Sequence, residues 1–154
     1  MQVELLCVGK VKEKYLRQGI EEYTKRIAPY CRIEIVEVED EPDEEDPRVV
    51  LEKERQRLEK KIKANSVLVP LAVEGKQMSS EEFAAWLAER QVSGQSKITF
   101  VIGGSHGLSP AIIQRGRLVL SLGPMTFPHQ LTRLILLEQI YRAFKIIRGE
   151  PYHK

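Results

Sequence analysis

The chain has 154 residues, 42% hydrophobic and 30% charged, enough for one compact domain with a core and little room for a second. A net charge of +2 excludes nucleic-acid binding by bulk charge alone. No apolar run approaches the roughly 20 residues that cross a bilayer, and Met1-Gln2-Val3-Glu4-Leu5 lacks the basic start and cleavage site of a signal peptide, so a cytoplasmic protein with no membrane partner is expected. Cys7 and Cys31 form no C-x-x-C pair and no Cys/His cluster; neither a disulfide nor a metal site is predicted.

In chain order, residues 3–8 read as a strand with a buried Cys7. Residues 15–27 follow as a helix, with Leu16, Ile20, Tyr23 and Ile27 on one face at spacings of four, three and four. Ile33, Ile35 and Val38 suggest a second strand. Eight of the ten residues 37–46 are acidic, which predicts a solvated loop that repels phosphate. A helix is then predicted from Pro47 to about Asn65, with Leu51, Leu58 and Ile62 on its inner side.

Residues 67–73 form a buried third strand, and Ser79 with Glu82 makes a capping box for a helix carrying Phe83, Trp86 and Leu87. Residues 98–102 are a fourth strand leading into Gly103-Gly104-Ser105-His106-Gly107. Ser109 caps the next helix, with Pro110 at its first position. Residues 118–122 read as a fifth strand, followed by Gly123-Pro124-Met125-Thr126-Phe127-Pro128 and a long helix over 129–148. Five strand–helix alternations predict an α/β domain with a mostly parallel sheet covered on both faces.

Ligands of such sheets gather at the carboxyl ends of the strands. The loop at 103–107 reads G-x-S-x-G, the nucleophile elbow of α/β-hydrolases, with Ser105 as nucleophile and His129 or His153 downstream. Against this, the following helix starts only around Ser109-Pro110, and no oxyanion segment exists. The loop is neither G-x-G-x-x-G nor a Walker A sequence. A third reading, a ribosome-binding protein without catalysis, stays open on these residues.

The glycine loop GGSHGLSP, the loop MTFPHQLTR and the end YRAFKIIRGEPYHK together resemble the RlmH family of SPOUT methyltransferases. The resemblance spans the whole chain, from Val8-Gly9-Lys10 and Glu22-Tyr23 to Pro151-Tyr152-His153. It implies a SPOUT-type knotted α/β fold, residues 1–154 forming one methyltransferase domain with a C-terminal trefoil knot, an exception to unknotted topology. It also implies methylation of N3 of pseudouridine 1915 in 23S rRNA, with S-adenosylmethionine as cofactor and a homodimer as the working form. Carried onto this sequence, the donor site comprises Leu71, Gly103, Leu122, Gly123, Pro124, Met125, Thr126 and Phe127. The acceptor side is expected to use Arg142, Tyr152 and His153 as catalytic residues, with the tail near its own site or the partner subunit's.

Apolar side chains and loop backbone suit a flat adenine, Tyr152 suits stacking on a base, Arg142 a developing negative oxygen and His153 a proton. Arg133, Arg142, Lys145, Arg148 and Lys154 make the C-terminal portion basic, a face suited to phosphates. The last helix is apolar on more than one side, so it is either wholly buried or shared with a second copy. With no separate RNA-binding segment, recognition of the assembled ribosome by shape is expected.

Overall fold

The computed structural model describes residues 1–43 and 45–154; of the acidic stretch, Glu44 lies outside the described residues. The elements run β1 (Gln2–Val8), α1 (Lys14–Ile27), β2 (Arg32–Val38), α2 (Pro47–Glu59), β3 (Val67–Gln77), α3 (Ser80–Val92), β4 (Lys97–Ile102), α4 (Pro110–Gln114), β5 (Leu120–Ser121) and α5 (His129–Ile147). The strands form one sheet in the order β2-β1-β4-β3-β5, every neighbouring pair parallel.

Alternation along β1 sorts the helices into two layers. Val3, Leu5 and Cys7 face a large core with Ile20 of α1, Phe83 and Leu87 of α3, and Leu136, Leu137, Ile140 and Phe144 of α5. Leu6 and Val8 face the opposite layer, with Leu58 of α2 and Ile112 of α4. Helix α5 lies between α1 and α3, so its apolar circumference is mostly covered by its own chain. Leu134, Ile135, Tyr141 and Ile147 remain half-buried.

Three local expectations shift. Helix α2 ends at Glu59 and buries Val50, Glu54 and Leu58 rather than Leu51. Glu54 is drawn inward because its carboxylate accepts the backbone N–H of Glu41 at 3.0 Å, which sets Val50 and Glu54 beside Leu58 on the buried face. Strand β3 runs four residues further than expected, with an irregularity between Leu71 and Lys76, and β5 shrinks to two residues against it. At the crossing Gly75 approaches the carbonyl of Val119, which a Cβ would reach at 2.7 Å, so only glycine fits. The acidic loop, finally, is tied down: Glu41 pairs with Arg57 and, at 3.7 Å, with Lys53 of α2.

The capping box is present, Ser79 accepting from Glu82 N and Glu82 accepting from Ser79 N. Cys7 is fully buried, and burial pushes its thiol up to about 12, against a smaller opposing pull from Arg133. Burial likewise raises Cys31, to about 11. Since thiolate is the reactive form, neither cysteine is expected to react with a maleimide in the native protein at pH 8. The denatured chain is expected to take up two equivalents, one for each cysteine.

Candidate active site

The carboxyl ends of β4, β3 and β5 lie side by side, because β5 pairs with β3 on the side away from β4. Leu71 follows the β4-paired part of β3 and pairs with Leu120 of β5, Gly103 follows β4, and Leu122 follows β5. Their loops surround an open cavity of about 680 Å³, within the range of about 300–1,000 Å³ usual for small-molecule sites. Seven of the eight residues expected at the donor site line it: Leu71, Gly103, Leu122, Gly123, Met125, Thr126 and Phe127. Pro124 does not; it is exposed at the turn. Ile113 of α4 and Thr132 of α5 also line the cavity; Thr132 falls within the MTFPHQLTR stretch, and no sequence pattern marked Ile113.

The glycine loop is a tight turn in which Gly107 N–H donates to the Gly104 carbonyl at 3.0 Å. Gly107 has φ +79°, a region that suits glycine. Ser109 accepts the Ala111 N–H and starts α4 with Pro110 behind it, so the cap reading holds. Ser105 stands exposed in the turn with a negative φ. Among the described residues no hydrogen bond joins it to His129 or His153, and the strained elbow that a hydrolase needs is missing.

Helix α5 begins at the cavity wall, where Pro128, His129 and Thr132 lie. Its N-terminus has no side-chain cap, which leaves first-turn N–H groups and the positive end of the helix for an anion such as a carboxylate. Burial, and then the charge of Arg133, hold the His129 imidazole below its ordinary value, so it is neutral at pH 7.

Arg142, Tyr152 and His153 come together, but away from this cavity. Arg142 Nε and Nη2 donate to Glu138 Oε2 at 3.1 and 2.8 Å, and Tyr152 donates to the same oxygen at 3.0 Å. Arg142 Nη1 meets His153 Nδ1 at 3.0 Å, while His153 Nε2 meets Glu81 Oε1 at 2.6 Å. An arginine only donates, so Nδ1 is the acceptor and Nε2 carries the proton. Partial burial, then bonds to Tyr23 and Glu138, push the Tyr152 phenol above its ordinary value, keeping it a donor. Tyr152 also packs edge-on against Tyr141, with Arg142 over its ring.

The C-terminal cations are less available than their sequence suggests. Arg133 is 1% exposed, Arg142 is held by Glu138, and Lys145 is paired with Glu150 at 2.8 Å. Among the described residues no group of three or more histidine, cysteine or acidic side chains is arranged to hold a metal. No described helix is long and apolar enough to cross a membrane.

A family model described as "Predicted SPOUT methyltransferase" matches residues 1–153. Curated relatives named ribosomal RNA large subunit methyltransferase H align over all of this chain and all of theirs: the protein of Carboxydothermus hydrogenoformans at 54% identity, and that of Enterococcus faecalis at 52%. The protein of the same name from Bacillus pumilus is 50% identical over the same full extent. A solved structure of a probable methylase family protein from Haemophilus influenzae is 12% identical, with a TM-score of 0.54 over 99% of this chain and 70% of the other. That last likeness concerns the fold alone.

Proposed function

The chain belongs to the RlmH family of SPOUT methyltransferases, and from that premise we propose that it is an rRNA methyltransferase using S-adenosylmethionine to methylate N3 of pseudouridine 1915 in 23S rRNA. Residues 1–154 act as one knotted methyltransferase domain, as a homodimer, on the assembled ribosome in the cytoplasm. The observation that carries this reading is the convergence of Leu71, Gly103 and the 122–127 loop on one cavity at the ends of three adjacent parallel strands.

The cavity fits the methyl donor. Leu71, Leu122 and Met125 offer apolar walls for a flat adenine, the backbone at Gly103 allows close approach, and the uncapped end of α5 suits the methionine carboxylate. When bound, S-adenosylmethionine supplies an electrophilic methyl group on its sulfonium. The protein contributes position and electrostatics. Arg142, which keeps N–H groups beyond those given to Glu138 and His153, is the donor for the negative charge that grows on an imide oxygen as N3 loses its proton. Tyr152, whose one O–H is given to Glu138, holds that carboxylate in place. His153 orients Arg142, since its Nδ1 lone pair is occupied by the guanidinium; it takes up the imide proton only when Arg142 swings away. The half-buried Leu134, Ile135, Tyr141 and Ile147 on α5 support a dimer.

Arg142→Ala is expected to lower the methyl-transfer rate about a hundredfold, the scale of one lost oxyanion donor. Glu138→Gln, which loosens Arg142 and Tyr152 together, is expected to lower it about tenfold through positioning. Both are expected to leave donor affinity unchanged by calorimetry, because neither residue lines the donor cavity. Function itself is tested by transfer from labelled S-adenosylmethionine to ribosomes, separate subunits and naked RNA from a strain lacking the gene. Label at one pseudouridine of large-subunit RNA is expected. Donor binding without label on any of these substrates overturns the acceptor assignment, and absence of donor binding overturns the enzyme.

A further inference from the structure

A second cavity, of about 360 Å³, opens between α3, α5 and the loop after β5. Leu120, Leu122, Gly123 and Phe127 line both this space and the donor cavity, so the two adjoin along these residues. We propose that this second cavity receives the acceptor base, with Gln139 as the residue that reads its edge. The inference rests on the methyltransferase reading above.

Three properties point to a neutral planar heterocycle. The walls are apolar where a ring face would lie: Phe83 and Leu136 are buried, and Met78 and Ile135 stand beside them. The polar groups at its surface are all uncharged, namely Gln77, Ser79, Ser80, Ser121 and Gln139. Amides and hydroxyls match the alternating C=O and N–H edge of a pyrimidine imide, whereas a phosphate would call for cations. Finally, the amide of Gln139 is oriented with capacity to spare. Ser80 Oγ donates to Gln139 Oε1 at 2.6 Å, and Gln139 Nε2 donates to Glu138 Oε1 at 2.7 Å. One N–H and one lone pair are left over for a base.

That chain of hydrogen bonds also joins the cavity to the tail. Glu138 holds Arg142 and Tyr152, and Glu81, next to Ser80 on α3, holds His153. A base seated here therefore lies between the donor cavity on one side and the Arg142–Tyr152–His153 cluster on the other. Neither the donor cavity nor the tail alone explains that arrangement; a reacting group between them does.

The test uses two full-length variants. Gln139→Leu removes the reading amide at nearly constant volume, and Met78→Trp fills the cavity without touching the hydrogen-bond chain or the α5 face proposed for the dimer. For each, S-adenosylmethionine affinity is measured by calorimetry, folding by thermal melt, and transfer to ribosomes at saturating donor. Both are expected to bind the donor within about twofold of wild type and to lose at least thirtyfold in kcat/KM for ribosomes. Unchanged transfer in the two variants overturns the proposal. So does donor affinity that falls in step with transfer, since the cavity would then be part of the donor site. A failure of the underlying reading looks different: the unmodified protein itself then gives no label on ribosomes.

Discussion

Gly103→Ala is expected to weaken S-adenosylmethionine binding by at least tenfold and to lower thermal stability together with it. A Cβ at this position would lie 2.3 Å from the carbonyl oxygen of Gly107, 2.4 Å from its carbon and 3.0 Å from its Cα. All three contacts are backbone, so no rotamer relieves them. The turn is closed by the Gly107 N–H on the Gly104 carbonyl at 3.0 Å, and two residues later Ser109 caps α4. The loop is therefore held at both ends, by β4 and by α4, and it cannot step aside without dragging one of them. Overpacking of this kind costs about 1–3 kcal/mol, which for a chain of this size is a fall in Tm of about 2–12 °C. The displaced backbone is itself the cavity wall at Gly103, hence the loss of affinity. Ser105→Ala in the same turn is the control for stability: its side chain is exposed and makes no hydrogen bond among the described residues, and Tm is expected to stay at the wild-type value. It should also leave methyl transfer intact, which a nucleophilic serine would not. Normal donor binding by Gly103→Ala would mean that the loop is not the donor's cradle.

The glycine loop was legible because its chemistry is local. Strand, tight turn, Ser109 cap and Pro110 follow one another within a few residues, and each has its own propensity. Helix α5 and the parallel sheet were legible for the same reason, through apolar period and alternation. What the chain did not advertise are contacts between distant residues. The inner face of α2 slipped from Leu51 to Val50 and Glu54, because a carboxylate reached back to a backbone N–H thirteen positions earlier. Strand β5 was shortened by the irregular course of β3, which no window around residue 120 contains. The partners that organise the tail, Glu81 and Glu138, lie 72 and 14 residues from what they bind, and an acidic side chain on a helix surface looks the same whether or not it has such a partner. Arg133 shows the same blindness in reverse. It counted as one cation of a basic end, whereas it is among the most buried residues in the molecule.

That burial makes Arg133→Met the substitution expected to cost the most stability. The guanidinium sits behind the end of the sheet, where Nη1 donates to Glu37 Oε2 at 2.6 Å and Nη2 to the carbonyls of Val8 and Gly9 at 3.0 and 2.8 Å. It thereby bolts α5 to the ends of β1 and β2. Methionine keeps the volume and the packing of the stem but leaves two buried carbonyls without donors and Glu37 without its cation. Removing one partner from a buried ionic cluster costs about 3–5 kcal/mol, and at about 2–4 °C per kcal/mol the melting temperature is expected to fall by about 6–20 °C. Arg133→Lys is expected to lie between the two, since a compact ammonium keeps the charge but lacks the planar guanidinium whose two ends span these oxygens. The same change reaches the donor cavity, because His129 lies one turn before Arg133 on α5. Burial depresses the His129 imidazole first and the Arg133 charge second, so loss of that charge raises its pKa. An NMR titration of Arg133→Met is therefore expected to place the His129 midpoint above the wild-type value, yet still depressed by burial. A drop in stability with an unmoved His129 midpoint would show that Arg133 holds the fold without shaping the electrostatics of the site. A loss below about 1 kcal/mol would show that the cluster of Arg133, Glu37 and the two carbonyls is not the bolt its geometry describes.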